Sequence, residues 1–332
     1  MNYSSPIRWG ILGCGKIARK FASDLSYVSN ATLRAVAARE LSTAQAFAQE
    51  FPAPGVFGSY EAMAASHEVD VIYIATPHGL HHEHIRLCLE HGKAVLCEKA
   101  FTINARQTRD MISLAQTRHV FLMEAFWTRF LPHYQKVREL VQQGVVGDIR
   151  YIHAEFGFRP SSPVSQRLYD PDLGGGALLD IGVYPVFLAL DLLGKPDIIH
   201  ARMTPAPTGV DEQCTIQLGY RNGAMANLFA TFSTHLATGA DLAGTNGRIR
   251  LPYRFHGPTA QIEFYPNGVE SRQQIPTEQV KGFGYEYEAQ HVTDCLLQGL
   301  TESPLRTHAD TLLLMETLDR IRAEAGIQYP VD

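Results

Sequence analysis

The sequence predicts an α/β protein, with a doubly wound parallel sheet in the first half and an α/β region on a large, mostly antiparallel sheet in the second. Up to residue 124, short continuous apolar runs alternate with helical patterns, as in parallel sheets covered by helices on both faces. From Asp148 onward apolar and polar residues alternate, which is typical of strands with one face in water. We therefore expect two domains, 1–124 and 125–332.

The apolar patterns place the elements of both halves. In the first half the predicted strands are 7–12, 31–38, 55–57, 70–77, 94–97 and 120–124, and the predicted helices are 17–25, 42–51, 60–65, 80–91 and 104–117. In the second half we expect strands over 150–158, 214–218 and 226–232, and helices over 177–193, 285–298 and 309–325. A strand and helix alternation like that of the first half places ligands at the carboxyl ends of the strands.

The first strand ends in a turn that is typical of dinucleotide binding. Gly13 permits a sharp turn, Gly15 lets backbone N–H groups approach a pyrophosphate, and Ala18 lets the helix lie close to the strand. Lys16 and Ile17 begin that helix, whose N-terminus favours an anion. The G-x-G-x-x-A pattern alone is weak, but here it follows the first strand and precedes further strand and helix units.

The end of the second strand bears on the choice of cofactor. An acidic residue at this position binds the ribose of NAD, whereas an Arg accommodates the 2′-phosphate of NADP. Arg39 comes first and Glu40 follows. NADP is favoured over NAD because a guanidinium matches phosphate geometry. The alternative is that Arg39 only caps a solvated loop and Glu40 binds the ribose.

Composition limits the partners of the chain. Its net charge is −5 and it has no basic cluster, which argues against nucleic acid and anionic membranes and favours a small-molecule partner. Its five cysteines are widely spaced, without a C-x-x-C pair, so we expect free thiols. No signal-like segment and no apolar run of membrane-spanning length is evident. We expect a cytoplasmic protein.

Four histidines follow the fourth strand, and their crowding raises the question of a metal. They are His78, His81, His82 and His84. No thiolate or convergent carboxylate completes a ligand set, so we predict no metal. We expect His78 to line the nicotinamide side of a cleft and the other histidines to cap the helix or face solvent.

Two further stretches carry candidate chemistry. Lys99 follows the fifth strand beside Glu98, which could orient it or balance its charge, and its ammonium could stabilise negative charge on a substrate oxygen. Asp180 and Tyr184 stand at i and i+4 of a predicted helix, on one face. An ammonium beside Tyr184 would favour its phenolate, as acid/base catalysis requires. The alternative is a core tyrosine bonded to Asp180.

Several motifs taken together resemble the Gfo/Idh/MocA oxidoreductases over nearly the whole chain. They are 13–18, 75–77, 98–99, 123–127, 174–176, Asp180 and Tyr184. The chain is most similar to the branch that contains the dimeric dihydrodiol dehydrogenases and the NADP-dependent D-xylose 1-dehydrogenases. The resemblance implies a Rossmann domain, a second α/β domain whose open sheet forms a homodimer or higher homo-oligomer, and hydride transfer between a nicotinamide and a carbinol carbon of a sugar or cyclic diol.

The resemblance also assigns roles to residues. Lys99, Tyr184 and Asp180 are implied as catalytic, and Trp127, Phe156 and Phe283 as the aromatic substrate wall. The expected cofactor residues are Gly13, Gly15, Lys16, Ile17, Ala18, Arg39, Thr76, Pro77, His78, His81, Glu98 and Lys99. Ala100 departs from the family pattern, which has a proline after the lysine. Since proline fixes φ, its loss bears on how the lysine is aimed.

Three alternatives to this function stay open. One is a non-catalytic NADP-binding redox sensor. A second is NAD-dependent glycoside hydrolysis, which occurs on the same fold. The third is hydride transfer with a different substrate, such as an inositol or an amino sugar.

Overall fold

A computed structural model describes residues 6–161, 166–267 and 272–332. Its contacts divide the chain into two compact units. The first unit contains the described residues up to Phe130 together with Lys281–Leu312. The second contains those of Leu131–Val280 together with Leu313–Asp332.

The first unit is built on a six-stranded parallel sheet. The strands are β1 (Ile7–Leu12), β2 (Ala31–Ala37), β3 (Gly55–Phe57), β4 (Val71–Ile74), β5 (Ala94–Glu98) and β6 (Leu122–Ala125). Their order is β3-β2-β1-β4-β5-β6, the Rossmann order with a switch point between β1 and β4. The helices between them are α1 (Lys16–Leu25), α2 (Leu41–Glu50), α3 (Tyr60–Ala65), α4 (His81–Glu90) and α5 (Ala105–Arg118). The predicted doubly wound sheet is confirmed.

The strands of this sheet end level with one another. Leu12 at the end of β1 lies opposite Ala37 of β2 and Ile74 of β4. The same register continues outward, where Ile74 lies opposite Cys97 and where Glu98 lies opposite Ala125. All pairs are parallel, so the turns that follow these strands emerge at a single edge of the sheet.

The second unit is built on an eight-stranded sheet. Its strands are β7 (Ile149–Gly157), β8 (Ile198–Pro205), β9 (Asp211–Gly219), β10 (Met225–Thr231), β11 (Ala240–Gly244), β12 (Gly247–Leu251), β13 (Ile262–Pro266) and β14 (Gln273–Ile275). The order is β14-β13-β12-β11-β7-β10-β9-β8, and every pair is antiparallel except β7 with β10. In β9, buried and exposed side chains alternate, as the one-sided pattern predicts. The mostly antiparallel sheet is confirmed.

The remaining helices all follow β6 in the chain. They are α6 (Pro132–Gln142), α7 (Gln166–Tyr169), α8 (Val183–Leu193), α9 (Tyr285–Leu297) and α10 (His308–Ala325). The segment Pro171–Leu193 is long and apolar enough to span a bilayer, but 83% of its apolar window is buried within the fold. It is therefore a core segment of the second unit.

The division into units differs from the predicted boundary at residue 124, because 281–312 belongs to the first unit. The Trp9 indole donates to Thr293 Oγ1 at 3.3 Å. The Arg306 guanidinium pairs with Glu124 at the end of β6, and Nε lies 3.2 Å from Oε2. These bonds join residues more than 180 positions apart, which hydrophobic periodicity does not detect.

The structure corrects the predicted helix over 177–193 in one detail. Leu178–Gly182 forms a π-helical turn, and only then does α8 begin. Asp180 therefore lies in the π-turn and Tyr184 in the α-helix, so the expected i, i+4 pairing on one α-helix is wrong. The turn packs closely on the sheet, because a Cβ on Gly182 would lie 3.1 Å from Cβ of Ala230 in β10.

Arg306→Ala is expected to destabilise the first unit strongly. Both partners of the Arg306 and Glu124 pair are almost fully buried, at 4% and 0% side-chain exposure. Removing one partner leaves an uncompensated buried charge, at a cost of about 3–5 kcal/mol in free energy of unfolding, to be measured by urea denaturation. The control Arg221→Ala removes a guanidinium that is 91% exposed and should cost at most about 1 kcal/mol. Equal losses in the two variants would contradict this account.

Candidate active site

Two glycines shape the turn after β1 at the carboxyl edge of the parallel sheet. Gly13 has φ +96°, and a Cβ there would lie 3.0 Å from Cγ2 of Thr76 and 3.1 Å from the Ala75 carbonyl oxygen. Only glycine fits this approach without strain. Gly15 is different, because nothing lies within 4 Å of its Cβ position. Neighbouring atoms therefore pack closely against Gly13, whereas the space beside Gly15 is open.

The helix after this turn offers free backbone donors. Gly15 caps α1 with an extended conformation and no side-chain hydrogen bond, so the first-turn N–H groups, including those of Lys16 and Ile17, have no side-chain cap. Ala18 is fully buried, as close packing of helix and strand requires. This arrangement is suited to a pyrophosphate.

Arg39 is exposed just after β2, at the same edge. Among the described residues, no carboxylate forms an ion pair with its guanidinium. Glu40 caps α2 through its backbone alone, without a side-chain bond. The open turn, the uncapped helix and the available guanidinium fit a dinucleotide. They are the residues that would hold NAD(P).

The histidines after β4 are more buried than predicted. His81 is fully buried, and its Nδ1 and Nε2 lie 3.0 Å from the Ala100 oxygen and 2.8 Å from the Thr76 oxygen. Burial lowers the pKa of His81 to about 4, which keeps it neutral. The expectation that it caps or faces solvent is wrong. Its ring instead links the turn at Thr76 to the loop after Lys99, and a cofactor contact from His81 stays a prediction.

Two other histidines of this group, His84 and His78, are also buried, whereas the His82 side chain is 25% exposed. His84 is 6% exposed and its Nδ1 lies 2.9 Å from Thr76 Oγ1. His78 is 4% exposed and its ring meets the His81 ring edge-on at 5.7 Å. Within residues 6–161, 166–267 and 272–332, no group of three His, Cys, Asp or Glu side chains converges as metal ligands would.

Lys99 is half-buried at the end of β5, on the carboxyl edge. The peptide bond between Lys99 and Ala100 is cis. Glu98, which precedes Lys99, is buried and accepts a hydrogen bond from the Tyr73 hydroxyl. Burial raises the pKa of Glu98, while the Tyr73 bond and the Lys99 ammonium oppose that rise. Glu98 is thus held inside the protein, and the Lys99 ammonium favours its charged form.

A second buried acid lies near Glu98 and was not predicted. Glu288 of α9 is fully buried, and neither of its carboxyl oxygens has a hydrogen-bond partner among the described residues. Burial, with the charges of Glu98 and Asp24, raises its pKa well above the usual range. Its surroundings therefore favour the protonated form of Glu288.

An aromatic pair and a tethered loop complete the first unit's part of the site. Trp127, which follows β6, stacks on Tyr285 with ring centroids 4.6 Å apart and planes 7° apart. Phe283 is 47% exposed, and the Lys20 ammonium lies 5.5 Å from its ring centroid. Two of the three predicted wall residues, Trp127 and Phe283, thus lie on segments of the same unit.

The loop of Phe283 is held by a buried carboxylate from α1. Asp24 is fully buried and accepts the N–H groups of Phe283, at 2.8 Å to Oδ2, and of Tyr285, at 2.9 Å. Gly282 is required there, because a Cβ would lie 2.1 Å from Asp24 Oδ1. Burial raises the pKa of Asp24 to about 6, and the neighbouring Glu286 contributes to the rise.

Tyr184 lies in the second unit, within a group of rings. It is 7% exposed, and its ring centroid is 5.7 Å from that of Phe156 and 4.7 Å from that of His256. His256 also packs on Phe156 at 4.4 Å. Phe156 and Tyr184, both predicted site residues, are thus brought together. His256 is an addition that no sequence motif indicated.

Asp180 is held by an arginine rather than pointing to solvent. Its carboxylate is 3.0 Å from the Arg167 guanidinium of α7. The π-turn packs behind it on an apolar cluster of Leu168, Ala177, Ile181, Ala230 and Phe232. Lys99 belongs to the first unit and Tyr184 to the second, and their meeting stays a prediction.

Comparison with protein families identifies both halves of the chain. Residues 7–126 match the family described as "Oxidoreductase family, NAD-binding Rossmann fold", and residues 134–250 match the "GFO/IDH/MocA C-terminal domain". The chain belongs to the Gfo/Idh/MocA oxidoreductase family. It is an NAD(P)-dependent enzyme that acts on CH–OH groups.

Relatives in this family are similar over nearly the full length. A trans-1,2-dihydrobenzene-1,2-diol dehydrogenase from Xenopus laevis is 40% identical, with 97% of this chain and 99% of the relative covered. The human enzyme of the same name is 37% identical, with 98% and 99% covered.

Solved structures agree with the fold. The 3-ketoreductase KijD10 from Actinomadura kijaniata, in complex with NADP and TDP-benzene, has a TM-score of 0.87 at 28% identity, and 96% of this chain and 98% of that one are covered. The aldose-aldose oxidoreductase from Caulobacter crescentus, complexed with glycerol, has a TM-score of 0.88 at 22% identity over 96% and 97%. The second likeness concerns the fold alone.

Asp24→Asn is expected to change how stability depends on pH. Burial raises the pKa of Asp24 in the folded state to about 6, above its ordinary value of 3.8, so between about pH 4 and pH 6 only the folded state keeps the proton. The wild type therefore loses stability as pH rises through this window, and the variant lacks that loss. We expect the variant to gain about 1–3 kcal/mol on the wild type from pH 4 to pH 7, measured by urea denaturation.

The exposed Asp294 of α9 provides the control for this comparison. Asp294→Asn removes a carboxylate from the same region without touching the Phe283 loop. Its stability difference from the wild type should stay flat over the same pH range. A flat difference for Asp24→Asn as well would contradict the role given to that carboxylate.

Proposed function

We propose that this protein is an NADP-dependent dehydrogenase that transfers a hydride between the nicotinamide and a carbinol carbon of an aldose, such as D-xylose, or of a cyclic trans-dihydrodiol. The position of Lys99 carries the proposal. It lies at the carboxyl edge of a sheet built for NAD(P), in a chain that aligns with dihydrodiol dehydrogenases over 97% of its length.

The preference for NADP rests on Arg39. Its guanidinium lies after β2, where the adenosine ribose is recognised in this fold, and no carboxylate of the described residues neutralises it. The 3-ketoreductase neighbour was solved with NADP, which supports the same choice.

The chain's own residues supply the acid/base chemistry. Tyr184 takes the proton of the substrate hydroxyl as the carbinol is oxidised, and returns it in the reverse direction. The ammonium of Lys99 holds the substrate oxygen and favours the phenolate. Bound NADP supplies the hydride carrier. Asp180, paired with Arg167, orients the turn that precedes Tyr184.

We propose aromatic rings as the substrate wall. Phe156 and His256 pack around Tyr184 in the second unit, and Trp127 stacks on Tyr285 in the first. Phe283 of the first unit is proposed as a further member. Ring faces accept both the apolar face of a sugar and the ring of a dihydrodiol, which is why both classes are proposed.

We also propose a cytoplasmic homodimer, or a higher homo-oligomer, that forms through the open sheet of the second unit. Three large apolar side chains are exposed on its strands, Tyr151 on β7, Ile198 on β8 and Met225 on β10. Burying such residues against a second copy is favourable.

Tyr184→Phe tests the proposal when it is assayed beside the wild type. A panel of pentoses, hexoses and cyclic diols is followed by NADPH absorbance and repeated with NAD. We expect the wild type to oxidise at least one member, and the variant to turn it over at least about 100-fold more slowly with little change in NADP affinity. Tyr220→Phe is the matched control, because the Tyr220 hydroxyl is buried without a hydrogen-bond partner among the described residues.

The same assay separates the alternatives. Tight NADP binding without oxidation of any panel member would indicate a redox sensor. Cleavage of a glycoside by a protein whose cofactor copurifies and is not consumed would indicate a hydrolase. Unchanged turnover in the Tyr184 variant would remove Tyr184 from the mechanism.

Arg39→Ala is expected to weaken NADP binding far more than NAD binding. A charge-assisted contact to the 2′-phosphate is lost, so the NADP dissociation constant should rise about 10- to 100-fold while that for NAD changes about twofold at most. Both are measured by fluorescence titration of the reduced cofactor. Arg34→Ala is the control on the same strand, since Arg34 pairs with Glu68 at 3.1 Å. Equal weakening of both cofactors would transfer the role to Glu40 or elsewhere.

A further inference from the structure

The helix that carries Tyr184 begins at a glycine loop that a distant carboxylate holds. Asp211 is the first residue of β9 and is fully buried. Its Oδ2 accepts the Leu178 N–H at 2.6 Å, whereas Oδ1 is buried without a hydrogen-bond partner among the described residues. Ala177 and Leu178 begin the π-turn that leads into α8. Asp211 is therefore a cap supplied from another element.

The loop is shaped to admit this carboxylate. Gly176 has φ +113°, and a Cβ there would lie 2.3 Å from Asp211 Oδ1. No other residue type fits this position without displacing Asp211. The Tyr329 hydroxyl also holds the loop, because it donates to the Gly175 oxygen at 2.6 Å.

The C-terminal segment that supplies Tyr329 is itself fixed. The Arg322 guanidinium of α10 bonds both carboxylate oxygens of Asp332, at 2.8 and 3.0 Å, and Asp332 accepts the Tyr329 N–H. The charged and titratable groups around Asp211 are thus Arg322 from α10, Tyr329 from the C-terminal segment and Cys214 from β9, and Asp180 from the π-turn acts in turn on Tyr329. The only cation among them lies on α10.

The charge of this cap changes in the neutral range. Burial raises the pKa of Asp211 to about 7, while the backbone bonds to the helix and the charge of Arg322 oppose the rise. The ionised carboxylate binds N–H groups at a helix start more strongly than the neutral acid does. Below about pH 7 the cap therefore weakens.

We propose that Asp211 is a positioning residue for Tyr184, whose ionised carboxylate fixes the first turn of the catalytic helix and so the aim of the phenol. The inference rests on the proposed function of Tyr184. It adds a residue that touches neither substrate nor cofactor, and it makes turnover depend on the charge of a buried group 27 positions further along the chain.

The test uses Asp211→Asn, which keeps the shape and one acceptor but removes the charge. The wild-type kcat on the best panel substrate should increase as the pH is raised through about 7. The variant should not show this limb of the pH profile. At pH 8 its kcat should be about tenfold lower, with KM and NADPH affinity within about twofold. Amide hydrogen exchange in 177–184 should be faster in the variant at pH 8 and should match the wild type at pH 5.5.

Asp241→Asn is the matched control in the same sheet, since Asp241 of β11 pairs across to Arg248 and Arg250 of β12. It should leave the pH profile and the exchange of 177–184 as in the wild type. Tyr329→Phe is the second variant. It removes only the bond to Gly175, and it should speed exchange in the same segment and lower kcat by a smaller factor than Asp211→Asn.

The outcomes separate the two proposals. If Tyr184→Phe is inactive while Asp211→Asn keeps the wild-type pH limb and exchange, the positioning role is overturned and the proposed function stands. If Tyr184→Phe keeps its turnover, the proposed function and this inference fall together, whatever the exchange shows. Faster exchange with an unchanged pH profile would make Asp211 a structural cap only, and it would also overturn the positioning role.

Discussion

The register of the six-stranded parallel sheet is the constraint on which the rest of the first unit depends. Because Leu12, Ala37 and Ile74 end their strands side by side and Ile74 lies opposite Cys97, one residue before the end of β5, the turns that follow these strands share one edge. That edge receives the glycine turn, Arg39, the Thr76 turn and Lys99, which lie 86 positions apart in sequence from Gly13 to Lys99. A parallel sheet concentrates donors, cations and tight turns in this way without any local motif between them.

Both units contain a similar arrangement among the described residues. A buried carboxylate reaches from one element to the backbone N–H groups of a distant loop, and a glycine in that loop makes room for it. Asp24 with Gly282 holds the loop of Phe283, and Asp211 with Gly176 holds the start of the Tyr184 helix. Each carboxylate loses its contact with bulk water and gains only a few hydrogen bonds from backbone N–H groups. Burial therefore raises the pKa values of both carboxyl groups toward neutrality.

The shared sheet and cofactor turn do not by themselves determine which substrate is bound. The family shares an NAD-binding Rossmann fold, yet its members include a trans-1,2-dihydrobenzene-1,2-diol dehydrogenase and a 3-ketoreductase. The side chains around the site must therefore select the substrate. In this chain the wall around Tyr184 includes an imidazole, His256, packed against Phe156 and the phenol ring. A polar ring at this place offers a hydrogen-bonding group that an all-carbon wall lacks.

The sequence by itself determined the sheet types, most element bounds and the cofactor turn, because these follow from periods of two and 3.6 residues and from glycines within a few positions of one another. It also predicted the cluster of Gly13, Arg39, Thr76 and Lys99, since strand ends can be read locally. Only the tertiary structure revealed the return of 281–312 to the first unit, the π-turn before α8, and the contacts and burial of Asp24, Asp211, Glu288 and His256. Asp24 and Asp211 reach their partners across 33 to 261 positions, and Glu288 and His256 likewise owe their surroundings to other segments. No local pattern records such a pairing, because the free energy that selects it comes from packing.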